Sequence, residues 1–150
     1  MSAPITSAQD VVAKLRDAFE LVEDRPGVSF IQFPVHWRGG DWLPVAVERT
    51  AAGWRLTDDT LHFDELGMRT RANFYSGRAG DRFQRALRAV DLRLEDGAIV
   101  RDVGPGEDWP AAYADFVRGL LAIEAVVDSI PAPRRVRPRQ KAPTPGPASL

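Results

Sequence analysis

Apolar residues recur with helical spacing near the start of the chain. In the stretch TSAQDVVAKLRDAFELVED, Val11 and Leu15 fall on one side of a helix, and Thr6 or Ser7 can provide the N-cap. The pattern therefore predicts a helix over residues 8–23.

Three later stretches also indicate helices. A short helix is predicted over LHFDELG, capped by Asp59 or Thr60 and stopped by Gly67. The stretch GRAGDRFQRALRAV places Phe83 and Leu87 on one side of a second helix. The last stretch, DWPAAYADFVRGLLAIEAVVDSI, has a broad apolar face that is typical of a core helix.

Between these helices, runs rich in β-forming residues predict strands. VSFIQFPV and the ranges 42–48 and 53–57 indicate a three-stranded antiparallel meander, in which Pro44 favours an edge or bulge position for its strand. LRLEDGAIVRDV is typical of a hairpin, because an Asp-Gly turn matches the twist of paired strands.

The order of elements predicts an α+β fold. We expect an antiparallel sheet of about five strands, the meander plus the hairpin, packed with N-terminal, central and C-terminal helices in one domain over residues 1–130. With 44% apolar residues and 150 positions, the chain can build one ordinary core.

The charge is distributed unevenly. Residues 1–130 hold 15 basic and 21 acidic residues, a net charge of −6, whereas residues 131–150 hold five basic and no acidic residues, together with six of the twelve prolines. We expect a disordered basic tail on an acidic domain. Its basic residues, the candidate tail contacts, are Arg134, Arg135, Arg137, Arg139 and Lys141.

Composition narrows the possible chemistry. Without cysteine the chain has no disulfide, thiolate nucleophile or cysteine-based metal site, and no cofactor is indicated. The charged N-terminal stretch does not resemble a signal peptide and no run of 18 apolar residues occurs, so we expect a cytoplasmic protein without a membrane partner.

The stretch GWRLTDDTLHF contains the residues that most resemble a catalytic site. Asp58 and Asp59 could hold Mg²⁺ at the junction of a strand and a helix, and His62 could act as a base beside them. The favoured interpretation is structural: one aspartate caps the helix, the other interacts with its positively charged start, and the histidine is a surface or half-buried residue.

Basic and aromatic residues provide candidate binding positions. Arginines line one side of the predicted central helix, with Arg69 and Arg71 upstream, and could meet phosphates or an acidic partner. The helix positions are Arg78, Arg82, Arg85 and Arg88, and the favoured alternative is a solvated face balanced by Asp81 and the acidic domain. Trp37, Trp42 and Trp54 could form a platform with Arg38, Arg49 and Arg55, although packing in the core is favoured for them, and Trp37 is the best candidate for exposure.

The stretch GWRLTDDTLHFDELGM resembles the bacterial and phage family known as domain of unknown function 1828. The matching features are Leu56 to Asp59, Leu66-Gly67, the arginine-rich helix, VDLRLEDGAIV and the C-terminal helix. The resemblance covers roughly residues 28–128, and the family commonly has glycine where this chain has Thr60. It carries over no catalytic residue, and it implies an accessory role beside phage-defence, mobile-element or toxin–antitoxin genes.

Three functional hypotheses follow. The leading one is a non-enzymatic interaction module with a protein partner. The second is a nucleic-acid-binding accessory protein that uses the arginine-rich helix and the basic tail. The third is a metal-dependent hydrolase at Asp58 and Asp59.

Overall fold

A computed structural model describes residues 6–32, 43–131 and 146–148 of the chain. These ranges contain four helices and six strands, in an α+β arrangement. In chain order the elements are α1 (Ala8–Asp17), β1 (Glu20–Arg25), β2 (Val28–Gln32), β3 (Ala46–Thr50), β4 (Gly53–Thr57), α2 (Leu61–Thr70), α3 (Gly77–Ala89), β5 (Arg93–Glu95), β6 (Ala98–Val103) and α4 (Trp109–Asp128).

All six strands form one antiparallel sheet in the order β1-β2-β3-β4-β6-β5. The predicted fold class is confirmed, with one strand more than expected. The predicted meander, β2 to β4, occupies the middle of the sheet. The predicted hairpin, β5 and β6, forms one side of the sheet, and its turn uses Asp96 and Gly97 with φ of 49° and 78°.

The extra strand, β1, includes residues that were predicted to belong to the first helix. Helix α1 starts with a capping box at Ser7, but it ends at Asp17 rather than near residue 23. Leu21 and Val22 instead pair with Ile31 and Phe30 of β2. Apolar residues close to the end of a helical pattern also fit a strand, and the pairing with β2 decides between the two.

Two other local predictions are wrong. Pro44 does not mark an edge, because β3 begins after it at Ala46 and lies between β2 and β4. Gly67 does not stop α2, which continues to Thr70 and ends where Arg71 adopts φ of 53° and donates its N–H to the Gly67 carbonyl at 2.9 Å.

The two faces of the sheet differ sharply. Helices α2, α3 and α4 cover one face, where Leu56 and Ile99 join a core with Phe83, Phe116 and Leu120. The opposite face of β3 to β6 carries charged residues in ion pairs. The cross-strand pairs are Arg55–Glu48 at 2.6 Å, Arg55–Glu95 at 2.9 Å and Arg93–Asp102 at 2.7 Å, and Arg93 also pairs with Glu95 of its own strand at 3.1 Å.

Helix α1 and strand β1 lie apart from this core. No residue of α1 is buried, and all six residues of β1, the outermost strand beyond β2, are exposed. No helix within the described ranges is long and apolar enough to cross a membrane.

Candidate functional site

Helix α3 is strongly amphipathic, as its sequence predicts. Phe83 and Leu87 are buried, and Gly80 lies so close to the preceding loop that an added Cβ would be 3.1 Å from the Phe74 carbonyl oxygen. The side opposite these residues carries an exposed stripe, which we call the arginine face. It consists of Arg78, Arg82, Arg85 and Arg88.

The arginine face spans eleven residues of helix, about 15 Å from first to last at about 1.5 Å per residue. Most other arginines of the structure are neutralised by carboxylates within 3.2 Å. Those arginines are Arg25, Arg55, Arg69, Arg93, Arg101 and Arg118. The four members of the arginine face form no ion pair with any described residue. Their charge is therefore available to a partner.

The arginine face adjoins the end of α4. Arg82 donates a hydrogen bond from Nη2 to the Ser129 hydroxyl at 2.9 Å, and Ser129 directly follows α4. The chain therefore leaves its last helix beside the arginine face. The predicted tail contacts Arg134, Arg135, Arg137, Arg139 and Lys141 lie outside the described residues.

The upstream arginines separate into two roles. Arg69 is paired with Glu124 at 3.0 Å and with Asp128 at 3.1 Å, which ties α2 to α4. Arg71 is exposed and has no ion pair among the described residues. Of these two upstream arginines, Arg71 alone therefore carries a charge that no described carboxylate neutralises.

The predicted tryptophan platform does not form as one surface in the described part of the chain. Trp54 and Arg55 are successive residues of β4, so their side chains lie on opposite faces of the sheet. Arg49 does lie over Trp54, with its guanidinium carbon 5.1 Å from the ring centroid. Trp37, Trp42 and Arg38 lie outside the described residues.

Asp58 forms a buried cap rather than part of an exposed carboxylate pair. Its side chain accepts hydrogen bonds from the backbone N–H groups of Phe63 at 2.8 Å, Ile99 at 2.8 Å and Thr60 at 3.1 Å. Burial raises the pKa of Asp58 to about 6, although these hydrogen bonds act in the opposite direction. The helix cap predicted at Asp59 or Thr60 is thus provided by Asp58.

Asp59 has a separate partner. Its two carboxylate oxygens accept hydrogen bonds from the Arg25 guanidinium at 2.7 Å and 2.6 Å, which joins the end of β4 to β1. Both aspartates are therefore engaged in holding segments together. Within the described ranges, no group of three acidic or histidine residues is arranged to hold a metal ion.

His62 is buried against the core, beyond the surface or half-buried position predicted for it. Neither ring nitrogen has a hydrogen-bond partner among the described residues. Burial lowers the pKa of His62, with Glu124 opposing that effect. A neutral buried imidazole on α2 fits a packing role.

Comparison with known proteins gives one match. The family model described as Domain of unknown function DUF1828 matches residues 34–123, which include β3 to β6, α2, α3 and most of α4. No curated protein and no solved structure matches the chain. Because the family model spans more than half of the sequence and includes the LTDD strand and the arginine-bearing helix, the chain belongs to the DUF1828 family.

Proposed function

We propose that this domain is a non-enzymatic interaction module whose arginine face binds an acidic surface of a partner protein. The observation that carries the proposal is the contrast between the six arginines neutralised by carboxylates elsewhere and the four exposed arginines of α3, which have no ion pairs among the described residues. An acidic partner would supply the missing carboxylates, and charge complementarity of this kind speeds association and fixes orientation.

The size of the arginine face favours a protein over a long nucleic acid. The face extends about 15 Å along α3, and residues 1–130 as a whole carry a net charge of −6. A long polyanion would meet repulsion outside the face, whereas an acidic patch on a folded protein can match its extent. The outward side of α3 also offers no aromatic residue on which a base could stack.

Nucleic acid binding is the second candidate, and one observation favours it. Arg82 bonds Ser129, two residues before the predicted tail begins at residue 131, so the arginine face and the tail could act on one polyanion. The hydrolase hypothesis has less support, because Asp58 and Asp59 already make buried or bidentate contacts. For the setting, we propose a phage-defence, mobile-element or toxin–antitoxin context, following the family resemblance.

The test is affinity purification from host cells with a charge-reversed variant, Arg82→Glu with Arg85→Glu. The matched control, Arg16→Glu with Arg118→Glu, changes the net charge equally at two exposed positions outside α3, one on α1 and one on α4. We expect at least about tenfold less partner to be recovered with the α3 variant than with wild type, and an unchanged recovery with the control. The melting curves of both variants, followed by circular dichroism, should match that of wild type.

Nuclease treatment separates the two candidates. A protein that survives nuclease and is lost only with the α3 variant supports our proposal. Nucleic acid that is retained only without nuclease, with an affinity that falls steeply with salt, supports the second candidate. Equal recovery with wild type, variant and control would remove the arginine face from consideration.

A further inference from the structure

An open groove of about 530 Å³ lies between α2 and the segment that leads into α3. Its lining is mostly apolar, and the sequence analysis did not identify it. The lining residues are Phe63, Asp64, Gly67, Met68, Ala72, Asn73, Phe74 and Tyr75.

Both buried and exposed aromatic or apolar residues line the groove. Phe63 and Phe74 are buried and both pack on Phe83, with ring centroids 5.6 Å and 4.7 Å apart. Met68 is 75% exposed and Tyr75 is 69% exposed. The Tyr75 ring stands edge-on to Phe63 at 5.7 Å. Large apolar side chains around a concave apolar surface are typical of a site that receives an apolar group.

Gly67 is the feature that most clearly points to a ligand. It lies within α2, where glycine costs about 1 kcal/mol relative to alanine. The fold gives no packing reason for it, because an added Cβ would have no atom within 4 Å. At Gly80 and Gly119, by contrast, an added Cβ would lie 3.1 Å or less from neighbouring atoms. The missing side chain at Gly67 keeps the groove open.

Two arginines lie close along the chain to residues that line the groove. Arg71 directly precedes the lining residue Ala72, and Arg78, which belongs to the arginine face, follows Tyr75 by three residues. Neither arginine has an ion pair among the described residues. Asp64 lines the groove on α2 and suits a hydrogen-bond donor in the occupant.

We propose that the groove binds an apolar side chain, of the size of leucine or phenylalanine, from an acidic linear segment of the partner protein. Carboxylates of the same segment pair with Arg71 and Arg78 and lead onto the arginine face. This inference rests on the proposed function and adds the chemistry of the segment that is recognised: one apolar anchor with acidic neighbours.

The test uses a displayed library of random linear peptides, selected on the wild-type protein. We expect the selected peptides to combine a leucine or phenylalanine with nearby glutamate or aspartate. Their affinity is then measured by fluorescence anisotropy on variants of the groove. Selected peptides that lack acidic residues, or that lack an apolar anchor, would overturn the proposal.

Gly67→Leu is the decisive variant, because it fills the groove at a position where the structure has room. We expect an unchanged or higher melting temperature and at least about a tenfold loss of peptide affinity. Ala125→Leu adds the same side chain at an exposed position of α4 and should bind peptide like wild type. Tyr75→Ala removes an exposed lining side chain and should also weaken binding, which provides a second variant if Gly67→Leu does not fold.

The two proposals can fail separately. If the Arg82→Glu, Arg85→Glu variant loses the cellular partner while Gly67→Leu keeps both the partner and the selected peptides, the groove proposal is overturned and the proposed function stands. If Gly67→Leu loses the partner and the peptides while the charge-reversed variant retains them, the groove is supported and the role of the arginine face is overturned.

Discussion

Because the carboxylate of Asp58 is buried, its contribution to the stability of this domain should decrease as the pH rises, which is the opposite of the usual behaviour of an aspartate. Asp58 is 0% exposed, and its burial raises its pKa from 3.8 to about 6. The folded protein therefore binds a proton at Asp58 more tightly than the unfolded chain does. The stability gained from that proton is fully present below about pH 4 and is lost as the pH rises through about 6.

The expected size follows from the pKa difference. A change from 3.8 to about 6 corresponds to about 3 kcal/mol, at about 1.4 kcal/mol per pKa unit. Asp58→Asn has no proton to lose over this range. The free energy of unfolding of wild type minus that of Asp58→Asn should therefore fall by about 3 kcal/mol between about pH 4 and about pH 7.

Urea unfolding at a series of pH values, followed by circular dichroism, measures this difference. Asp102→Asn provides a contrast of opposite sign, because Arg93 holds the pKa of Asp102 below its usual range. Wild type should gain stability relative to Asp102→Asn as the pH rises through that lower range. A wild-type minus Asp58→Asn difference that is flat, or that increases with pH, would refute the reasoning, since it would show that three backbone N–H donors outweigh burial.

Three further predictions concern single residues. Thr60 has φ of 71°, a left-handed conformation that disfavours β-branched residues, so Thr60→Gly should raise the free energy of unfolding by about 1 kcal/mol in urea titrations. Gly80→Ala should lower it by about 1–3 kcal/mol despite a better helix propensity, because the new Cβ would lie 3.1 Å from the backbone oxygen of Phe74; an equal or higher melting temperature would contradict this. Burial lowers the pKa of His62 from 6.5, so wild type should lose stability relative to His62→Leu as the pH falls below about 6.5, and parallel pH profiles would argue against that origin.

Where local sequence determined the structure, the fold could be predicted. Helix α3 was predictable because Phe83 and Leu87 repeat at helical spacing, and the β5–β6 hairpin because Asp96 and Gly97 accept the positive φ of its turn. The first helix was predicted too long because its end also fits a strand. Pairing of Leu21 with Ile31 settles that choice, and the spacing of residues along the chain does not reveal such pairing.

Some features of the candidate site could likewise be predicted from the sequence, and others could not. The arginine face follows from helix periodicity, so its exposed members could be named from the sequence. An aspartate cap on α2 could also be predicted, but the second contact of Asp58 could not, because its donor, the N–H of Ile99, lies 41 residues away along the chain. The groove could not be predicted either. The sequence indicates that Gly67 ends α2, whereas the helix continues past Gly67 and ends where Arg71 adopts a left-handed conformation.

The position of β1 has a consequence for how copies of this protein behave at high concentration. An outermost strand exposes unpaired backbone groups that can pair with another chain and lead to aggregation. In β1 these groups are accompanied by Glu20, Glu23 and Asp24, all exposed. Parallel pairing of two such strands in register would place these like charges opposite one another and is therefore disfavoured. Antiparallel pairing would instead set Glu20 against Arg25, and the exposed Leu21 and Val22 would then be the apolar residues through which two copies meet.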